Sequence, residues 1–79
     1  MRRYVATFHT HLSAMRSQRA LAALGVSARL APVPRVLSAS CGTCVRYEAE
    51  EPHLARMDRD VERVAMETAG GYQIIFSGE

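Results

Sequence analysis

Two cysteines, Cys41 and Cys44, are the side chains of this chain best suited to chemistry, and they stand three positions apart in the run Cys-Gly-Thr-Cys. Two thiols at this spacing can carry a sulfur atom, exchange a disulfide or share a metal ion. A zinc site needs about four ligands. His9 and His11 are the residues that would complete an intrachain site of that kind, and a dimer that shares its cysteines would be another way to bind zinc or copper.

Size and composition narrow the class of protein. With 79 residues, 48% of them hydrophobic, the chain predicts one soluble domain over residues 1–79 that is too small for an extended active-site cleft. Its apolar runs are shorter than the ~20 residues that span a bilayer, and its first residues are too polar for a signal sequence. We therefore expect a cytoplasmic protein without a membrane partner. In that compartment a cysteine pair is more often catalytic, redox-active or metal-binding than structural.

Charge is distributed unevenly along the chain. The first 46 residues contain seven Arg and no acid, whereas the remainder contains three Arg and all eight acids. Such asymmetry can mark a docking surface for an anionic partner, but in a compact fold the two halves can also neutralise each other. The chain has no Lys and no planar set of aromatic residues, so we expect no nucleic-acid partner.

The hydrophobic spacing predicts six elements in the order βαββαβ. We expect strands at 4–8, 29–36, 45–49 and 72–76, and two helices, one at 11–24 and a second that begins at Pro52 and ends at Gly70-Gly71. Thr10 or Ser13 can cap the first helix and Gly25 can end it, with Ala14, Leu21 and Leu24 on one face. The second helix has the clearest pattern, with apolar residues at intervals of three and four: Leu54, Met57, Val61 and Val64. This order is typical of a ferredoxin-like α+β sandwich, in which two helices pack on one face of a four-stranded antiparallel sheet.

The prolines predict which strand lies at an edge of that sheet. Pro32 and Pro34 are two residues apart, so they remove backbone N–H donors from the same side of the second strand. That side should face solvent. In the ferredoxin-like topology the third strand pairs with the first, and the last strand forms the other edge. The last strand is less protected, which leaves a homodimer through it open.

That topology should collect several polar residues at one end of the sheet: His9, Thr10, His11, Cys41, Cys44 and Gly70-Gly71. The first helix begins there, and a helix N-terminus favours an anion because its N–H groups are unpaired. Its first turn contains no acid, and Arg35 and Arg46 flank the cysteine turn. We expect Thr10, Gly42 and these two arginines to stabilise a thiolate. Gly42 either eases the approach of another protein or supplies a positive φ.

Other interpretations compete for the cysteine pair. Thioredoxin-like exchange places the motif at the start of a helix, whereas a strand is predicted to follow here. Copper-carrying ferredoxin-like domains place it after the first strand, where this chain has His9 and His11. A small redox protein and a metal-binding module therefore remain alternatives. So does an interaction domain whose half-buried thiols are inert.

One block of the sequence resembles a known family. The run Arg29-Leu30-Ala31-Pro32-Val33-Pro34-Arg35, then Ser38-Ala39-Ser40-Cys41-Gly42, together with Phe8-His9-Thr10, Ala14-Met15, Leu21, Gly25-Val26 and Arg46, is similar to small bacterial selenium/sulfur carrier protein-like domains. The similarity covers roughly residues 4–50. Thr10 stands where that family often has Ser, and Gln18 where it often has Glu.

The resemblance implies a carrier more than a turnover enzyme. Cys41, at the family's Cys-Gly position, would accept a persulfide or perselenide. In the relay that we expect from this, Cys44 is the candidate that resolves the persulfide as a disulfide. The implied partners are a sulfur or selenium donor protein and an acceptor protein, including those that mature molybdenum enzymes. No tightly bound cofactor is implied.

Overall fold

The computed structural model describes residues 1–37 and 39–78. The elements in chain order are β1 (Arg2–Phe8), α1 (His11–Ala23), β2 (Ser27–Pro32), β3 (Thr43–Ala49), a 3-10 turn (Leu54–Arg56), β4 (Val61–Thr68) and β5 (Gly71–Ser77). The helix of the described residues, α1, is too short to cross a membrane.

The strands form one antiparallel sheet in the order β2-β3-β1-β4-β5. The predicted pairing of the first and third strands is confirmed, as is the edge position of β2. Pro32 is the last residue of β2 and pairs with Thr43. The last strand does form the other edge, but its neighbour is β4 rather than β1. The two edges are thus the ones that the sequence predicted.

The predicted ferredoxin-like fold is wrong, because residues 1–37 and 39–78 form a sheet of five strands with one helix, α1, on one of its faces. The predicted second helix is a short 3-10 turn followed by β4. Val64 and Met66 alternate with Arg63, Ala65 and Glu67, and this two-residue period coexists with the helical one in the sequence. Without β4, the backbone N–H and C=O groups on one side of β1 would have no partners. Because these groups need hydrogen bonds, this segment forms a strand rather than a helix.

The two glycines at the end of the predicted helix belong to a hairpin instead. Thr68 pairs with Gly71, so Ala69 and Gly70 form a two-residue turn between β4 and β5. Gly71 has φ +142°, a conformation that side chains disfavour. The hairpin turn lies at the end of the sheet opposite Cys41, and the expectation that Gly70-Gly71 join the cysteines is therefore wrong.

The core between α1 and the sheet follows the alternation of the strands. Its residues are Tyr4, Ala6, Phe8, Ala14, Leu21, Val45, Tyr47, Ala49 and Val64. Thr10 caps α1, as predicted, and Gly25 follows its end with φ +84°. Leu24, predicted on the buried face, is instead 43% exposed at the C-cap. The candidate site lies at one end of this sheet, where β1 ends and where β3 and β4 begin.

The opposite face of the sheet has a smaller core of its own. It consists of Val5, Leu37, Cys44 and Ala65, with Ala31, Val33 and Tyr72 packed against them. Leu37 belongs to the connection between β2 and β3, residues 33–42, which we call the cover loop; Ser38 within it lies outside the described residues. The cover loop therefore folds over one end of the face that α1 leaves open.

Candidate functional site around Cys41

The cover loop has a defined conformation around the cysteines. Its two ends are joined by a hydrogen bond from the Val33 N–H to the Gly42 carbonyl, 3.1 Å, and the Leu37 N–H bonds the Pro34 carbonyl, 3.0 Å. The Arg63 guanidinium of β4 donates to the Leu37 carbonyl across 3.0 Å. Leu37 is only 6% exposed because it is packed against the sheet. The loop is thus held by its apolar underside and by hydrogen bonds at several points.

Cys41 is the accessible thiol of the pair. It is a free cysteine of intermediate exposure at the end of the cover loop, and its thiol donates to the Thr43 carbonyl with an Sγ–O distance of 3.4 Å. Gly42 beside it has φ +75°, and a Cβ there would meet nothing within 4 Å. The glycine is therefore required by the turn, and the surface next to the sulfur is open.

Cys44 has a different environment although it is only three residues away. It is the second residue of β3, is fully buried in the smaller core, and donates its thiol to the Pro32 carbonyl, 3.5 Å. Burial raises the pKa of the Cys44 thiol, and the charges of Arg46 and Arg29 oppose that rise only in part. Because the thiolate is the nucleophile, Cys44 is the less reactive sulfur of the two in the folded protein.

The two predicted histidines contact residues on either side of Cys41, His9 in the cover loop and His11 at the start of β3. His9 Nδ1 lies 3.3 Å from the Ser40 hydroxyl oxygen, and His11 Nδ1 lies 3.3 Å from the Thr43 hydroxyl oxygen. The sequence therefore placed His9, Thr10, His11 and the cysteines correctly at one end of the sheet. Within the part of the chain that the structure describes, no three His, Cys, Asp or Glu side chains form a group that could hold a metal ion.

Two acidic residues at the beginning of the β4 segment reach this end of the sheet, one at the start of α1 and one at the cover loop. The Thr10 hydroxyl accepts the Ser13 N–H as an N-cap, 3.2 Å, and the Ser13 hydroxyl donates to an Asp60 carboxylate oxygen, 3.0 Å. Glu62 accepts the Ser40 N–H, 3.3 Å. The first turn itself contains no acid, as the sequence showed. The fold adds Asp60 and Glu62, two acids that the sequence-based expectation of an electropositive setting did not include.

The two predicted arginines occupy separate places. Arg35 is exposed on the turn of the cover loop. Arg46 is two residues beyond Cys44 on β3, where its guanidinium donates to the Tyr72 hydroxyl, 3.4 Å, and pairs with Glu67 at 4.0 Å. The positive charge of Arg46 acts on the Cys44 thiol, whose pKa it lowers in opposition to burial. Of the four residues predicted to stabilise a thiolate, Thr10 is engaged as a helix cap and Gly42 provides the turn.

Several residues of this end were not found by sequence reasoning: Thr7, Asp60, Glu62 and Arg63. The last three lie in the segment that was predicted as a helix, so their pairing with β1 could not be foreseen. Thr7 could have been found from alternation alone, since Tyr4, Ala6 and Phe8 face α1 and therefore Val5 and Thr7 face the cover loop.

Comparison with known proteins bears on the role of this end. Residues 3–67 match the model of the family described as "Putative Se/S carrier protein-like". The chain belongs to this Se/S carrier protein-like family. The match spans most of the chain, from β1 nearly to the end of β4, and includes both cysteines, the cover loop and the start of α1. No curated protein and no solved structure matches the chain.

Membership of the Se/S carrier protein-like family confirms the resemblance drawn from the cover-loop residues, and extends it from residues 4–50 to residues 3–67. The family description points to carriage of selenium or sulfur and to proteins that donate and accept it. Ser38, part of the block that carried the resemblance, lies outside the described residues.

Proposed function

We propose that this protein carries a sulfur or selenium atom on Cys41 and passes it from a donor protein to an acceptor protein. The observation that supports this most directly is the inequality of the two thiols. Cys41 is accessible beside an open glycine, whereas Cys44 is buried with a raised pKa. Only a thiol that another protein's active site can approach can take part in such a relay, and Cys41 meets that requirement.

The loading step transfers one sulfur atom without net oxidation. The Cys41 thiolate attacks the terminal sulfur of a persulfide on the donor, such as a cysteine desulfurase. The S–S bond of the donor breaks, and its thiolate leaves as Cys41 becomes a persulfide. A donor that carries selenium gives the perselenide by the same exchange. Unloading reverses the pattern, with a thiolate of the acceptor attacking the terminal atom and Cys41 leaving as a thiolate.

The contacts of the cover loop suit this role. The loop is held by Leu37 in the smaller core and by hydrogen bonds of Ser40 to His9 and Glu62, and these contacts favour one placement of Cys41. Preorganised presentation lowers the entropic cost of docking two active sites. Cys44 would act as a resolving thiol only after the cover loop moves. It would then attack Cys41 Sγ, form the Cys41–Cys44 disulfide and release hydrosulfide.

Mass spectrometry tests the loading step. Reduced protein is incubated with a cysteine desulfurase and L-cysteine, separated from the donor, and measured as intact protein and as peptides. We expect wild type and Cys44→Ala to gain one sulfur atom, located on Cys41 in the wild type, and Cys41→Ser to gain none. The added sulfur should be released by cyanide as thiocyanate. Loading of Cys41→Ser, or no loading of the wild type, would refute the proposal.

A further inference from the structure

Thr7 has the one buried side-chain oxygen or nitrogen without a hydrogen-bond partner among residues 1–37 and 39–78. The residue is 0% exposed, so its hydroxyl cannot compensate by bonding bulk water. Buried hydroxyls are normally hydrogen-bonded, and an exception calls for an explanation because the unpaired group destabilises the fold. A hydroxyl that stays unpaired at this cost in stability is available to donate a hydrogen bond to a group that the protein acquires later.

The register of the sheet places this hydroxyl next to Cys44. Thr7 on β1 is the direct partner of Cys44 on β3 and of Arg63 on β4. Direct partners in an antiparallel sheet point to the same face, with their Cβ atoms roughly 4.5–5.5 Å apart. Thr7 therefore faces the cover loop from the middle of a row of three, between a thiol and a cation.

The cover loop closes this row from above. Leu37 packs in the same small core as Cys44, and its carbonyl accepts the Arg63 guanidinium. Cys41 lies at the end of the same loop, two residues before Thr43 begins β3, and its thiol donates to the Thr43 carbonyl. A persulfide extends a thiol by about 2 Å. The Thr7 hydroxyl and the Arg63 charge thus lie on the face that the loop covers, and the carrier thiol lies at the end of that loop.

We propose that the Thr7 hydroxyl is the hydrogen-bond donor that holds the terminal sulfur or selenium anion of the Cys41 adduct beneath the cover loop. This inference rests on the proposed function. Thr7 forms no covalent bond in it: the O–H donates to the terminal anion, and the hydroxyl proton stays on the oxygen. Thr7 is therefore a positioning residue, and its effect is to favour the loaded protein over the empty one.

The variant Thr7→Val tests the hydrogen bond because it has nearly the same shape and lacks the hydroxyl. Loaded wild type and variant are equilibrated with an excess of reduced glutathione, whose thiolate takes the terminal sulfur and leaves the Cys41 thiolate. The ratio of loaded to empty protein is read by intact mass. We expect this ratio to fall about tenfold to a hundredfold in Thr7→Val, the usual effect of losing a hydrogen bond to a charged group.

Two control variants separate the hydrogen bond from a change of shape. Thr7→Ser retains the hydroxyl and should restore most of the wild-type ratio. Thr68→Val makes the same substitution on an exposed threonine at the far end of β4 and should leave the ratio unchanged. An unchanged ratio in Thr7→Val, or a loss in Thr7→Ser as large as in Thr7→Val, would overturn the assignment of Thr7.

Denaturation of the unloaded proteins gives a measurement that is independent of sulfur. Because the Thr7 hydroxyl has no partner in the empty protein, Thr7→Val should unfold at a higher urea concentration than wild type. A lower midpoint would show that the hydroxyl is already bonded within the fold and would refute the inference. Failure of the wild type to load sulfur refutes the proposed function itself, whereas loading with an unchanged ratio in Thr7→Val refutes only the role of Thr7.

Discussion

The strongest consequence of the two thiol environments is a large difference in their rates of alkylation. In the native, reduced protein an alkylating reagent should modify Cys41 quickly and Cys44 slowly. Cys41 is half-exposed, whereas Cys44 is fully buried beneath the cover loop and has a raised pKa that reduces its thiolate fraction. The reagent can reach Cys44 only after the cover loop opens.

The contacts of the cover loop set the size of this difference. Opening exposes the Leu37 side chain, which costs about 1.5–3 kcal/mol. It also breaks the hydrogen bonds from Arg63 to Leu37 and from Ser40 to Glu62, at about 0.5–1.5 kcal/mol each. The total is about 2.5–6 kcal/mol, from which the conformational freedom regained by the loop is subtracted. We therefore expect Cys44 to react about a hundredfold more slowly than Cys41.

The assay is a time course of N-ethylmaleimide modification at neutral pH, quenched and mapped by peptide mass spectrometry. In denaturant both cysteines should react at similar rates, which calibrates the reagent. The variant Leu37→Ala removes about 2 kcal/mol or more of loop packing and should accelerate Cys44 about tenfold or more without changing Cys41. Val36→Ala, at an adjacent residue that is 77% exposed, is the matched control and should change neither rate.

Two outcomes would refute this reasoning. Equal native rates for the two thiols would show that the cover loop does not protect Cys44. An unchanged Cys44 rate in Leu37→Ala would show that protection comes from global stability of the sheet rather than from the packing of the loop.

Three further predictions concern the elements that support the site. Thr10→Ala should lower the free energy of unfolding by about 1 kcal/mol through loss of the N-cap, and Thr10→Ser should restore most of it, as measured by urea denaturation. In the same assay Leu21→Ala should cost about 2–5 kcal/mol because Leu21 is fully buried, whereas Leu24→Ala at the exposed C-cap should cost less than about 1 kcal/mol. Burial raises the pKa of the Cys44 thiol in the folded protein. The stability that the protonated thiol contributes should therefore be complete below the unfolded-state thiol pKa of about 8.5 and should be lost as pH rises through the folded pKa. Cys44→Ala should weaken this alkaline decline in the free energy of unfolding.

Local sequence patterns predicted the first half of the fold well. The alternation of β1, the Thr10 cap and the Gly25 stop are local signals, and the structure confirms each of them. Pro32 and Pro34 predicted the edge position of β2 because a missing N–H limits pairing. The strand itself ends at Pro32, and Pro34 lies in the cover loop. The gathering of His9, His11 and the cysteines followed from these elements.

The second half shows where local patterns are insufficient. Val61 and Val64 fit a helical interval, but Val64 and Met66 also alternate as in a strand. Short amphipathic segments often support both periods, and tertiary pairing decides between them. Here the open side of β1 pairs with β4, and Ala69-Gly70 then forms a hairpin turn to β5 instead of ending a helix. The error in this one segment explains why four strands were predicted where the structure has five.

The sequence by itself determined the chemical groups of this protein: two cysteines on either side of a turn glycine, two histidines before a capped helix, and an edge strand leading to them. Only the tertiary structure decided how those groups differ. The cover loop buries Cys44 and leaves Cys41 accessible. The residue before β4, Asp60, reaches the start of α1, whereas Glu62 of β4 contacts the cover loop. The sheet register places an unpaired Thr7 hydroxyl beside Cys44. The physical reason is that burial, charge and hydrogen-bond partners of a side chain are set by segments distant in sequence, which local spacing does not encode.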